Sequence, residues 1–208
     1  MKDFQFHAAG KTVRFSADVT ADTAQWFEQI LTEQDKAFGI IGDKKLIQIL
    51  ALHFCFSKES DGWRVLAADY AGDPSRNAVS DLTLALQLLG QQQYVLQKTG
   101  LAPQDAVSLL DTVLIRRSAL LTQDVYLMKQ ELKEKTDSGL YLGALSNRGS
   151  TADPEDYTAM PLFRLLMTHP AVLSAVCLPA GSIAVIRNNA VAGICGPDGT
   201  EVFRRPGD

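Results

Sequence analysis

The chain has 208 residues, 46% of them hydrophobic and 21% charged, with a formal net charge of −4. That balance excludes a disordered chain and is long enough to bury a sizeable core. Lys and Arg are scattered rather than gathered into a stripe, so the counterion-displacing surface that nucleic acid requires is absent from the pattern and no nucleic-acid partner is expected.

Taken in chain order, residues 3–7 and 12–16 alternate apolar and polar residues around Ala8-Ala9-Gly10-Lys11. This predicts a β-hairpin with Phe4, Phe6, Val13 and Phe15 on one face. Asp18 or Thr20 then caps a helix over about 21–36, striped by Trp26, Phe27, Ile30 and Leu31 and stopped by Gly39. Lys45 to Tyr70 reads as one long hairpin. Its first strand is central, and the turn lies at Glu59-Ser60-Asp61-Gly62. A helix over 43–53 competes for the same residues, because Leu46, Ile49, Leu50 and His53 also fit a 3.6-residue period.

Ala71 to Asn77 is a loop punctuated by Gly72-Asp73-Pro74. A helix from Ser80 to about Thr99 follows, with Leu82, Ala85, Leu86, Leu89 and Leu96 on its inner face and Gly100 at its end. Pro103 opens a predicted helix to about Leu121 with Val107, Leu110 and Leu114 inside. Thr122 opens another to about Lys135 with Val125, Met128 and Leu132 inside. Leu140 to Leu145 reads as a strand and Asn147 to Asp156 as a polar loop. A helix over 157–169 precedes strands near 171–178, 182–187, 190–195 and 200–204, separated by Pro179-Ala180-Gly181, Asn188-Asn189 and Gly196-Pro197-Asp198-Gly199.

The expected fold is therefore α+β: antiparallel hairpins and a C-terminal β-meander packed with a helical middle third. The polar stretch 146–156 is the natural linker between regions 1–145 and 157–208, which equally form one domain.

No local motif names a reaction. A GxSxG elbow, a GxGxxG loop and the calcium pattern DxDxDG are all missing, and Gly39 to Lys44 has the wrong spacing for a phosphate loop. His7, His53 and His169 lack metal-ligand spacing, so no metal and no cofactor is expected. Cys55, Cys177 and Cys195 are odd in number, form no CxxC pair and lie in apolar segments, which reads as three reduced core thiols of a cytoplasmic protein. MKDFQFHAAGK does not resemble a signal peptide, and the apolar run Leu46 to Phe56 is too short to span a bilayer, so no membrane partner is expected.

Two stretches are the places to look for a ligand. One is the loop after the long hairpin, with Trp63, Asp69, Tyr70, Asp73 and Arg76; the other is the acidic loop Asp153, Glu155 and Asp156. His53 and Cys55, two apart on a strand, share a face and are either core residues or a nucleophile pair. His169 before Pro170 would sit at a helix C-terminus. Arg187, Arg204 and Arg205 gather in the C-terminal strands, as a basic patch or as protection of an edge.

The function expected is non-catalytic binding of another protein. Small acidic α+β chains of this general character include bacterial immunity proteins and secretion-system accessory proteins, which makes a toxin or a secretion-system component the expected kind of partner; no residue motif carries that likeness. The alternatives are a small hydrolase or transferase built on Cys55 and His53 or on Asp69 and Asp73, and an oligomeric structural subunit.

Overall fold

The computed structural model describes residues 1–103, 107–131, 137–147 and 153–206. It is an α+β fold with two mixed sheets. The chain divides into two compact units, Met1–Gly90 and Gln91–Asp208, so the division runs through a helix rather than through 146–156.

In the first unit, β1 (Lys2–Ala8) and β2 (Lys11–Ala17) form the expected hairpin. Phe4 lies opposite Phe15 and Phe6 opposite Val13. The connection turns on Ala9 and Gly10, both at positive φ (46° and 76°), the backbone that a two-residue hairpin turn demands. Helix α1 (Ala21–Phe38) starts where Thr20 Oγ1 accepts the Thr23 N–H at 3.2 Å. It stops where Gly39, at φ 59°, donates its N–H to the Asp35 carbonyl at 2.7 Å.

The next strands are β3 (Leu46–Ile49), β4 (Leu52–Glu59), β5 (Gly62–Ala68) and the short β6 (Ala78–Val79). They correct the single long strand expected before Ser57, and the helix over 43–53 does not form. The chain reverses at Leu50, whose φ is 51°, and β3 folds back on β4 with Gln48 opposite His53. Nothing in Leu50-Ala51 is turn chemistry; the reversal is set by pairing. The sheet order is β1-β2-β5-β4-β3 with β6 on β5, and β2 runs parallel to β5.

One face of this sheet packs on α1. Phe27 of α1 is fully buried, edge-on to Phe15 at 5.3 Å and tilted against Phe54 at 5.2 Å. Full burial of such side chains supplies about 1.5–3 kcal/mol each. The opposite face carries charge. Arg14 holds Asp61 by two bonds of 2.6 and 2.7 Å, and Arg64 reaches Glu59 at 2.5 Å.

Helix α2 (Thr83–Thr99) begins three residues after Ser80. Asp81, not Ser80, accepts the Thr83 N–H at 2.9 Å, and Gly100 at φ 66° ends the helix as expected. Its inner face is the predicted one: Ala85, Leu86, Leu89 and Leu96 are all buried, as is Leu82 just before the helix.

The second unit holds β7 (Thr112–Arg116), β8 (Val125–Lys129), β9 (Asp137–Ala144), β10 (Tyr157–Pro161), β11 (Ile183–Arg187), β12 (Ala190–Cys195) and β13 (Glu201–Arg204). Their order is β10-β7-β9-β8-β11-β12-β13; β7 and β9 are parallel and the other neighbours antiparallel. Of the four strands predicted at the C-terminus the last three form a meander, with Asn188 and Asn189 at φ 47° and 55° in its first turn. β10 and β11, from beyond the polar stretch, pair with β7 and β8 from before it. The residues on either side of 146–156 thus belong to one sheet.

The helices expected over 103–121 and 122–135 are corrected. In their place stand β7, a 3-10 turn at Arg117–Leu121, and β8; residues 104–106 and 132–136 lie outside the described ones. Burial alternates along β8 and along β7 as far as Ile115, after which Arg116 is buried too. Val113 and Ile115 point inward and Leu114 is 46% exposed; Val125, Leu127 and Lys129 are buried while Tyr126 and Met128 are half-buried. Lys129 disguised the period of two. It is buried because its Nζ donates to the Ser138 carbonyl.

The helix over 157–169 is likewise replaced by β10 and a 3-10 segment, Leu162–Met167, and the strand near 171–178 by another, Pro170–Ser174. These short segments bury Leu162, Leu165, Val172 and Leu173. His169 is buried between the two segments: its N–H donates to the Leu165 carbonyl at 2.7 Å at the C-terminal end of the first, and its Nε2 lies 2.8 Å from the Thr122 carbonyl. Gln92, in the last half of α2, is buried too. It donates to the Leu173 carbonyl at 3.0 Å and accepts from the Cys177 thiol at 3.5 Å. None of the described helices is long and apolar enough to cross a membrane.

Candidate functional site

In the first unit, the end of β5 opens into a cleft of about 310 Å³ lined by residues 67–71 and by Val79, Asp81, Thr83, Leu84, Ala85 and Gln87. It contains two of the predicted site residues, Asp69 and Tyr70. Asp69 Oδ1 accepts the Gly72 N–H at 3.0 Å. Tyr70 is buried, and its Oη accepts the His53 backbone N–H at 2.7 Å; burial pushes the phenol up to about 12. Asp81 accepts both the Thr83 hydroxyl (2.5 Å) and N–H (2.9 Å) through Oδ1, and these bonds, the hydroxyl's foremost, hold its carboxyl below the usual range.

The other predicted residues of this region do not join them. Trp63 stands at the opposite end of β5, in register with Val13 and Lys58, six strand residues or roughly 20 Å from Asp69. Asp73 and Arg76 close on each other in the loop. Asp73 Oδ1 accepts the Ser75 N–H at 3.1 Å, and Arg76 Nε lies 3.8 Å from Asp73 Oδ2.

His53 and Cys55 do share a face of β4, as their spacing requires, and both are half-buried. In the sheet Cys55 lies between Leu46 and Leu66, and burial pushes its thiol up. That surrounding favours the thiol over the thiolate that a nucleophile needs. Cys55, Cys177 and Cys195 are all free thiols.

In the second unit, Asp153, Glu155 and Asp156 are exposed on a 3-10 turn, Pro154–Asp156. Asp153 and Asp156 cap it reciprocally, with the Asp153 N–H donating to Asp156 Oδ2 at 3.1 Å, and Arg117 Nε donates to the Glu155 carbonyl at 3.0 Å. Two of the three carboxylates thus serve their own turn. Arg204 is held by Glu201 through two bonds of 2.5 Å, while Arg187 is exposed. Among the described residues no three His, Cys, Asp or Glu side chains group as metal ligands would.

The sheet of this unit carries a surface that the sequence reading missed. Tyr126 of β8, Tyr141 of β9 and Tyr157 of β10 form a row, with ring centroids 5.7 and 6.1 Å apart and planes inclined by 59° and 52°. All three are half-buried. Cross-strand pairing adds Leu114 and Met128 opposite Tyr141 and Arg116 opposite Tyr157 on the same face. Gly143 lies opposite Tyr126 and leaves the ring its space: a Cβ there would come within 2.5 Å of it. Desolvation, and then the neighbouring Tyr126, push the Tyr141 phenol up. The available signal was alternation in Val125 to Lys129 and Leu140 to Ala144, which a helical reading of 122–135 concealed.

Comparison of the chain with protein-family models, with curated proteins and with solved structures finds no match.

Proposed function

We propose that the protein is a non-catalytic protein-binding protein and that the tyrosine face of the second sheet is its contact surface. The row Tyr126–Tyr141–Tyr157 carries this reading. Protein contact surfaces are enriched in Tyr, Met and Arg and depleted in Lys, Asp and Glu. Tyr126, Tyr141, Tyr157, Leu114 and Met128 include no charged residue, and the one cation on this face, Arg116, is buried. Tyrosines have few rotatable bonds to immobilise, and each offers an apolar ring with a polar tip.

The partner to try first is a toxin or a secretion-system component, the kind suggested by the chain's small acidic character. Purified protein titrated calorimetrically with the products of neighbouring genes should yield a stoichiometric complex. Tyr141→Ala should weaken it by about 2 kcal/mol or more, roughly 30-fold, as truncation of a central anchor does. Binding within twofold of the parent for Tyr126→Ala, Tyr141→Ala and Tyr157→Ala alike would remove the face from consideration.

A further inference from the structure

We infer that the cleft at the end of β5 is a receptor for one arginine side chain of a protein partner. It lies wholly in the first unit, and the inference stands independently of the tyrosine face.

Three observations combine. First, the cleft is small. About 310 Å³ is at the bottom of the range for ligand pockets, which suits a single side chain rather than a cofactor. Second, its walls are short and apolar, made by Ala67, Ala68, Ala71, Val79, Leu84 and Ala85. Such a channel takes the methylene stem of a long cationic side chain while its head stays polar. Third, the charged groups of the lining are both negative, beside the neutral polar side chains of Tyr70, Thr83 and Gln87. Asp69 and Asp81 both face the cleft, and no Lys, Arg or His lines it. A further carboxylate, Asp18, is exposed beside it, since its backbone N–H donates to Thr83 Oγ1 at 2.7 Å. The charge of the α-amino group is felt at Asp81 as the least of the influences on that carboxyl.

The geometry of the carboxylates narrows the occupant. Each uses Oδ1 for its local turn: Asp69 for the Gly72 N–H, Asp81 for the N–H and hydroxyl of Thr83. Among the described residues neither Oδ2 accepts a hydrogen bond. Two carboxylates with an oxygen each to spare call for a cation with many N–H donors, and a guanidinium offers five where a lysine ammonium offers three. Ala67, Ala68, Val79, Leu84 and Ala85 belong to strand and helix, and the turn 69–71 is pinned by the Tyr70 bond to His53 and the Asp69 bond to Gly72.

The test uses the full chain labelled with nitrogen-15 and four probes: acetyl-Gly-Arg-Gly-amide, its lysine and norleucine counterparts, and free arginine. The arginine peptide should shift amides of 67–72 and 79–87 with a dissociation constant in the millimolar range. The lysine peptide should bind several-fold more weakly, and the norleucine peptide should leave those amides in place. Asp69→Asn and Asp81→Asn should each weaken the arginine peptide at least fivefold. Asn retains the acceptor that holds Gly72 or Thr83, and an unchanged urea midpoint confirms that each variant is folded. The inference is overturned if the arginine peptide leaves the cleft amides unshifted, if the norleucine peptide shifts them equally, if lysine binds as well as arginine, or if the double Asn variant binds like the parent. Binding of free arginine tenfold tighter than the peptide would overturn the protein as the source of the side chain.

Discussion

Gly143→Ala tests the tyrosine face through a single methyl group. A Cβ at Gly143 would stand 2.5 Å from Tyr126 Cζ and 2.6 Å from its Cε1 and Oη. Ordinary contacts between carbon atoms are ~3.5–4.0 Å, so the ring must move by about 1 Å or more. Tyr126 is half-buried and its ring ends a flexible side chain, so the ring swings outward and the sheet holds. The displacement costs roughly 1–2 kcal/mol, the lower part of the overpacking range, and includes the aromatic contact with Tyr141 at 5.7 Å. Replacing glycine in a strand interior offsets about 0.5–1 kcal/mol of this, so the net loss is about 0–1.5 kcal/mol. Removing the ring reverses the sign: in a Tyr126→Ala background, Gly143→Ala should stabilise by about 0.5–1 kcal/mol. Hydrogen exchange of the Leu127 and Leu142 amides, on the two strands concerned, reads the stability of this sheet directly. Equal destabilisation by Gly143→Ala in both backgrounds would refute the steric account of the row.

Two further outcomes follow from the first unit. Ala9 at φ 46° occupies the left-handed region that alanine adopts at a cost, ahead of Gly10 in the β1–β2 turn; Ala9→Asn should raise stability by about 0.5–1 kcal/mol, and an unchanged urea midpoint would show that Ala9 carries no strain. Hydrogen bonding to Arg14 holds the Asp61 carboxyl below its usual range. A depressed carboxylate contributes stability that is complete above the unfolded value of about 4 and is lost as pH falls through its folded value. Urea midpoints of Asp61→Asn and the parent should therefore differ at about pH 7 and converge at about pH 2.5; a difference that persists unchanged into acid means that the Arg14 pair does not stabilise the sheet.

The parts of the fold that could be read from the sequence are those whose ends are marked by local chemistry. Gly10 marks the first hairpin, Thr20 and Gly39 bound α1, and Asn188-Asn189 sets the first turn of the meander. Where local marks are absent, pairing with distant strands decides. Leu114 and Met128 fit a helical period as well as a strand one, and β7 is placed by β10 and β9, both far along the chain. Leu50 reverses the chain without Gly or Asn, and Lys129 is buried where a polar face would be expected. The site divides the same way. Asp69 and Tyr70 were recognisable as residues of a loop that follows a strand. Asp81 read only as the start of a helix, and its place in the cleft depends on how that helix meets β5. The tyrosines were hidden because three strands had to be paired before they formed a row.

Both candidate surfaces use glycine in the same physical way. Tyr126 lies over Gly143, and the Asp69 carboxylate lies over Gly72, where a Cβ would meet Oδ2 at 2.4 Å. Neither glycine has the positive φ that would require the residue for backbone reasons. A glycine at such a site forgoes side-chain packing and adds to the entropy lost on folding, so it does not serve stability. What it provides is room for a polar or aromatic side chain to lie against the backbone in a fixed position. That argues for the orientation of Tyr126 and Asp69 as the property these glycines maintain, and side chains held in place before a partner arrives lose less entropy on binding.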